Sequence, residues 1–306
     1  MASDIYSQVN DRILAALEQG IIPWKRPWNG QLSTNYDSGK QYRGVNILTL
    51  GIAEMVCGYS SPIWMTFLQA QKHGGHIKRG EKATYIVFSD KKVREVEKED
   101  GTTEQKVYHF IRSFPVFNWD QTEGVPKKEI GPALDPDRDL IAVSDRILSL
   151  MPKPPAFRES GNSAYYMPKQ DLVNLPPINT FRTTEGYVAT KFHEYAHSTG
   201  HKARLNRPGI MEVAVFGGEE YSFEELVAEL TSAYLCASNG IDNTLENSAA
   251  YIQNWLEVLK NDKTMLLKAS GKATAAVEYI LGKNEAGTIA ASSPCASTAA
   301  QKVAGL

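Results

Sequence analysis

Apolar residues at Ile5, Val9, Ile13, Leu14 and Leu17 recur three and four positions apart behind Ser3, and Gly20 follows them. That spacing predicts an opening helix capped by Ser3 and stopped at Gly20. A loop rich in Pro, Trp and Gly comes next, and helical spacing returns from 45 to about 57 and from 66 to about 72. The pattern then changes. Ala83-Thr-Tyr-Ile-Val-Phe-Ser and Tyr108-His-Phe-Ile-Arg-Ser-Phe-Pro-Val-Phe-Asn have the β-branched and aromatic content of strands, and Asp100-Gly101 between them is a hairpin turn signal. The charges separating the two runs predict a solvated ribbon. Residues 1–123 therefore read as one α+β unit.

Residues 124–136 are dense in Pro, Gly and charge and predict a linker. Beyond it come a short helix over 141–150, strands at Ala164-Tyr-Tyr-Met and Asp171-Leu-Val-Asn-Leu-Pro, a polar helix ending near Gly200, and two further helices. These form a second unit over 137–285. The Ala/Ser/Gly-rich remainder, 286–306, has little to bury and predicts a disordered tail. The fold class is α+β in two domains.

Composition narrows the setting. With 42% apolar residues and no run of 18 or more of them, the 306-residue chain reads as soluble and cytoplasmic, with no membrane partner. Cys57, Cys236 and Cys295 are too few and too scattered for a disulfide framework or a cysteine metal site. The net charge of −2 hides an asymmetry. Residues 20–92 carry ten Lys/Arg against four Asp/Glu, whereas 131–306 carry sixteen against twenty. A polyanion is thus the expected partner of the first unit.

The polar helix contains His193-Glu194-Tyr195-Ala196-His197. Two imidazoles four residues apart lie on one helix face, within reach of one ion, while Glu194 projects about 100° away toward a water. Thr183 or Thr184 can cap this helix, and Gly200 can end it in a left-handed turn. A catalytic zinc takes three protein ligands, so a third is required. A histidine at 203, as in H-E-x-x-H-x-x-G-x-x-H, is missing because that position is Ala203. Glu225 and Glu229 lie four apart on a later helix, where Ala228, Ser232 and Ala233 would let it pack closely. Either could be the ligand, with the other accepting the far N–H of a histidine. Glu225 could instead belong to a capping box with Ser222. His201 is a weaker candidate because it follows the helix-ending glycine.

With one divalent ion there, Zn2+ by donor type and Mn2+ or another ion as alternatives, Glu194 would take a proton from water and pass it to a leaving amine. The strand Tyr165-Tyr166-Met167 could add an extended peptide to its edge, or be an ordinary edge. A metal-dependent nuclease fits less well, since phosphodiester chemistry more often uses carboxylate-rich pairs of ions.

In the first unit, Trp24, Lys25, Arg26 and Trp28 interleave rings with cations, and Tyr42, Arg43, Lys78, Arg79 and Lys82 extend the theme. Single-stranded DNA is bound by such a combination, cations following phosphates and rings stacking on unpaired bases. The competing reading is that Trp24 and Trp28 anchor their loop in the core.

Taken together, Gly20-Ile-Ile-Pro-Trp-Lys-Arg-Pro-Trp28, Tyr42-Arg-Gly-Val-Asn-Ile-Leu48, Gly75-His-Ile-Lys-Arg-Gly-Glu-Lys-Ala83, Phe192-His-Glu-Tyr-Ala-His-Ser-Thr-Gly-His201, Arg204-Leu-Asn-Arg207 and Glu219-Glu-Tyr-Ser-Phe-Glu-Glu-Leu-Val-Ala-Glu229 resemble the ArdC antirestriction proteins of conjugative plasmids. The first half is also similar to the N-terminal regions of plasmid TraC primases. The resemblance covers about 3–285. It implies a single-stranded DNA-binding domain, a zincin-like metallopeptidase domain, and protection of plasmid DNA from restriction in the cytoplasm of the recipient bacterium. A host restriction protein would then be a candidate peptidase substrate. The alternative is protection by DNA occupancy alone, with a structural or inactive zincin domain. Similar zincins take the third ligand from a glutamate followed four residues later by Asp or Asn. That pattern selects Glu225, with Glu229 as a departure in the Asp/Asn position.

Overall fold

The computed structural model describes residues 2–24, 32–97, 103–128, 135, 137–208, 210, 219–242 and 249–283. Helix α1 (Ala2–Glu18) begins before Ser3, which lies inside the helix and is not its cap. Strand β1 (Thr34–Asn35), helix α2 (Val45–Cys57), strand β2 (Ile63–Met65), helix α3 (Phe67–Lys72) and strand β3 (His76–Ile77) follow. The end of α2 is set by Gly58 at φ +68°, whose N–H closes on the Glu54 carbonyl. The start of α3 is a capping box between Thr66 and Gln69.

Strands β4 (Thr84–Glu97) and β5 (Thr103–Asn118) are much longer than the two apolar runs suggest, because the charged segments between them stay in register from Thr84↔Val116 to Glu97↔Thr103. Their turn at Asp100-Gly101 lies outside the described residues. With β1 and β2 they make a sheet of order β1-β2-β5-β4, while β3 pairs with β6 (Thr122–Glu123). The free edge of β4 is partly closed by Asn46 on α2. Its Oδ1 accepts from the Val87 N–H and its Nδ2 donates to the Val87 carbonyl, both at 2.7 Å.

The second half holds helix α4 (Leu140–Leu148), strands β7 (Ala156–Glu159), β8 (Tyr165–Met167) and β9 (Leu172–Leu175), and helices α5 (Thr184–Thr199), α6 (Glu219–Ser238), α7 (Ala249–Asn261) and α8 (Met265–Ile280). Among the described residues three helices, not two, therefore follow α5. The sheet order is β7-β9-β8, with β8 antiparallel to β9. Phe192 and Val188 of α5 pack on Val173 and Leu175 of β9.

This is a two-domain α+β architecture, but its cores are not separate. Val9, Ile13 and Leu17 of α1 share one buried cluster with Leu226, Leu230, Trp255 and Leu266 from the C-terminal helices. Asn10 donates to the Leu259 carbonyl at 2.9 Å across the same junction. At the start of the expected linker, Val125 is buried and the Pro126 carbonyl accepts from the Tyr36 hydroxyl. Residues 129–134 and 136 of that linker, and the expected tail from 286, lie outside the described residues. No described helix is long and apolar enough to cross a membrane.

Candidate metal centre

Thr183 caps α5, accepting from the Gly186 N–H at 3.0 Å, so the helix that carries the two histidines is fixed at its start. His193 and His197 stand one turn apart with Nε2 atoms 3.1 Å from each other. Helix α6 packs against α5 through small buried residues, and Ser232 donates across to the Ala189 carbonyl at 2.8 Å. That contact brings Glu225 to the histidine pair. One carboxylate oxygen is 3.5 Å from His193 Nε2 and the other 3.5 Å from His197 Nε2.

These three groups lie within 4.8 Å of one another and are the only such cluster of metal-ligating side chains among the described residues. Two nitrogens each ~2.1 Å from a tetrahedral ion would be separated by roughly 3.4 Å, so the observed spacing fits one ion. Glu225 cannot serve as the N3 partner of Ser222, because α6 begins at Glu219 and carries Ser222 inside it.

The surrounding charges act on His193. Burial pushes its pKa down, but the Glu225 hydrogen bond and the charges of Glu229, Glu194 and Glu225 outweigh that and hold it at about 9. Its Nδ1 is buried without a hydrogen-bond partner, as is one oxygen of Glu229. Glu194 is itself buried, at 8% exposure, on the same helix.

The partner of the far nitrogen of His197 is Glu224, not Glu229: Oε1 stands 3.4 Å from Nδ1. Glu224 is gripped by the buried Arg207, whose Nε donates to Oε2 at 2.9 Å and whose Nη2 donates to Oε1 at 2.5 Å. Burial would raise the Glu224 pKa, and Arg207 and His197 together bring it below the usual carboxylate value. The same guanidinium donates to the Thr199 hydroxyl at 2.6 Å and the Ala196 carbonyl at 2.9 Å, tying the end of α5 to α6.

This arrangement explains Gly200, which is not in a left-handed turn. Its φ is −76°, open to any residue, and what a side chain there would meet is Ile210 at 2.6 Å and Arg207 Nη2 at 3.0 Å. The glycine makes room for Ile210 and for the guanidinium. His201 turns away from the cluster and accepts from the Ala203 N–H at 3.2 Å. Arg204, with its side chain 1% exposed, donates to the Ser198 carbonyl at 2.6 Å and pairs with Asp171, fastening the helix end beside β8 and β9.

The nucleic-acid candidates are dispersed. Trp24 is fully buried and meets Trp255 edge-on at 5.9 Å, so it presents no face to a base; the anchoring reading is the one the fold follows. Lys25, Arg26 and Trp28 lie outside the described residues. Tyr42 is half-buried, its hydroxyl accepting from Asn35 at 3.2 Å. Arg43 is exposed and paired at 2.6 Å with Glu278. Lys78, Arg79 and Lys82 are exposed, and Lys78 donates to the Asp120 carbonyl at 2.8 Å.

Comparison with known proteins agrees in both halves. Residues 3–117 match the N-terminal domain of anti-restriction factor ArdC, and 151–272 match a zincin-like metallopeptidase family. The chain is 32% identical over 288 residues to the uncharacterized protein y4eC of Sinorhizobium fredii (strain NBRC 101917 / NGR234), covering 91% of this chain and 92% of that one. It is 29% identical over 300 residues to the DNA primase TraC of Escherichia coli, of which it spans 27%. The crystal structure of the antirestriction ArdC protein from plasmid R388, metal-free, superimposes with a TM-score of 0.72 at 36% identity, covering 91% of this chain and 97% of that one. The Mn(II)-bound structure of the same protein gives 0.70 at 35%, covering 90% and 96%.

Proposed function

This chain belongs to the ArdC antirestriction family, and from that premise we propose that it protects incoming plasmid DNA from host restriction, binding single-stranded DNA through its N-terminal half and one divalent ion through His193, His197 and Glu225. The observation that carries the reading is the convergence of those three groups within 4.8 Å on two helices locked together by Ser232. The donor set suits Zn2+, and the R388 relative, crystallised with Mn(II), supports a divalent ion without restricting it to zinc.

The ion supplies Lewis acidity toward water and an amide carbonyl. Glu194, about 100° around the helix from His193, takes the proton of the attacking water and returns it to the leaving amine nitrogen. Glu224, oriented by Arg207, accepts from His197 Nδ1–H and so keeps the Nε2 lone pair free for coordination. Among the described strands β8 pairs with β9 alone, which leaves its other edge for an extended peptide, with a host restriction protein as the substrate class. The family relation and the exposed cations Arg43, Lys78, Arg79 and Lys82 support the DNA partner.

Glu194→Gln tests the reading in one variant. It retains metal and single-stranded DNA binding, abolishes peptide hydrolysis, and loses antirestriction in a plasmid-transfer assay. Undiminished antirestriction would contradict the peptidase part and favour protection by occupancy.

A further inference from the structure

Strands β4 and β5 form a ribbon of 14 and 16 residues, roughly 46 Å long at ~3.3 Å per residue. Among the described residues, the rest of the fold braces it at its base. Val116 is buried with Leu50 and Trp64, Ile86 packs against that group, and Asn46 holds the Val87 backbone.

Above the base, on the face that Ile86 shares with its cross-strand partner Phe114, two rings stay open to solvent. Phe88 is 55% exposed and Phe114 40%, with centroids 6.4 Å apart and planes at 75°. Directly across from Phe88 in the register is the exposed Arg112. Single exposed apolar residues are ordinary, but two touching rings with a cation beside them have the composition of a base-stacking platform. The register carries the pattern along the backbone. The next same-phase pairs are Asp90↔Phe110, Lys92↔Tyr108 and Arg94↔Lys106, adding two aromatic and three basic residue types against one acid.

We propose that this phase of the β4–β5 ribbon, centred on Phe88, Phe114 and Arg112, is the stacking surface for single-stranded DNA. The proposal rests on the DNA-binding reading above and replaces Trp24, which is buried, as the stacking group. Unpaired bases offer the π faces that open phenylalanines need, and the cations follow the phosphates; a duplex would satisfy only the second requirement.

The test uses the full chain and a labelled oligothymidine of about 16 nucleotides in fluorescence anisotropy. Phe88→Ala with Phe114→Ala weakens binding by at least ~tenfold, while Phe88→Tyr with Phe114→Tyr, which keeps the rings, stays within about threefold of wild type. Arg112→Ala lowers the slope of log affinity against log salt by about 0.7. A circular-dichroism melt close to that of wild type is expected for the Ala pair, since neither ring belongs to a buried cluster. If wild type binds and the Ala pair binds equally well, the ribbon proposal falls and the DNA reading stands. If wild type does not bind, the DNA reading falls and takes the proposal with it. A change of oligomeric state in the Ala pair at unchanged DNA affinity would make this face a contact between copies and overturn the proposal.

Discussion

Arg207 grips Glu224 through two guanidinium–carboxylate hydrogen bonds, and the oxygen it holds at 2.5 Å is the one that faces His197 Nδ1 at 3.4 Å. A loop residue beyond α5 thereby sets the orientation of a candidate metal ligand inside it.

Arg207→Ala strands a buried carboxylate. Loss of one member of such a pair destabilises by about 3–5 kcal/mol, so the variant should melt well below wild type. Glu224→Gln keeps the shape and removes the charge. It leaves Arg207 buried without its counter-charge, so it too should melt below wild type, and the folded protein should bind metal roughly 10–100-fold more weakly, read by titration calorimetry.

Gly200→Ala separates two roles for the glycine. Crowding of Ile210 and Arg207 predicts a loss of about 1–3 kcal/mol, and displacement of Arg207 weaker metal binding as well. A simple helix stop would leave metal affinity unchanged.

Metal uptake should depend on pH through His193. Its pKa is raised from 6.5 to about 9, so in the metal-free protein the imidazole is protonated at neutral pH and must lose that proton to coordinate. Affinity therefore rises with pH up to about 9 and then levels, with proton release detectable in buffers of different ionisation enthalpy. For the metal-free fold the sign is opposite. The raised pKa stabilises fully below 6.5, and that contribution is lost as pH climbs through about 9.

Trp24→Ala should cost about 3–5 kcal/mol by emptying its place against Trp255. Trp24→Phe, which keeps most of the packing, should leave single-stranded DNA affinity unchanged in the anisotropy assay.

The legible parts of this fold were local. Helix α2 falls at its expected bounds because apolar residues at helical spacing end at Gly58, and the two histidines face each other because four residues make about one turn. What was not legible depended on tertiary partners. Strand β7 is exposed throughout and offers no alternation to read. The break between α7 and α8 rests on Asp262 accepting from the Thr264 N–H, a turn inside an otherwise helical composition. Apolar stripes on α1 show that a face is buried but not that it is buried against the C-terminal helices. Glu224 sits beside Glu225 in plain view, yet no spacing rule ties it to Arg207, seventeen residues earlier.

The most direct measurement is the metal content of the purified chain by mass spectrometry, comparing wild type with Glu194→Gln, Glu225→Ala and Glu229→Ala. About one divalent ion per chain is expected in wild type, Glu194→Gln and Glu229→Ala, and almost none in Glu225→Ala. A full complement of metal in Glu225→Ala, or its loss in Glu229→Ala alone, would contradict the centre described above.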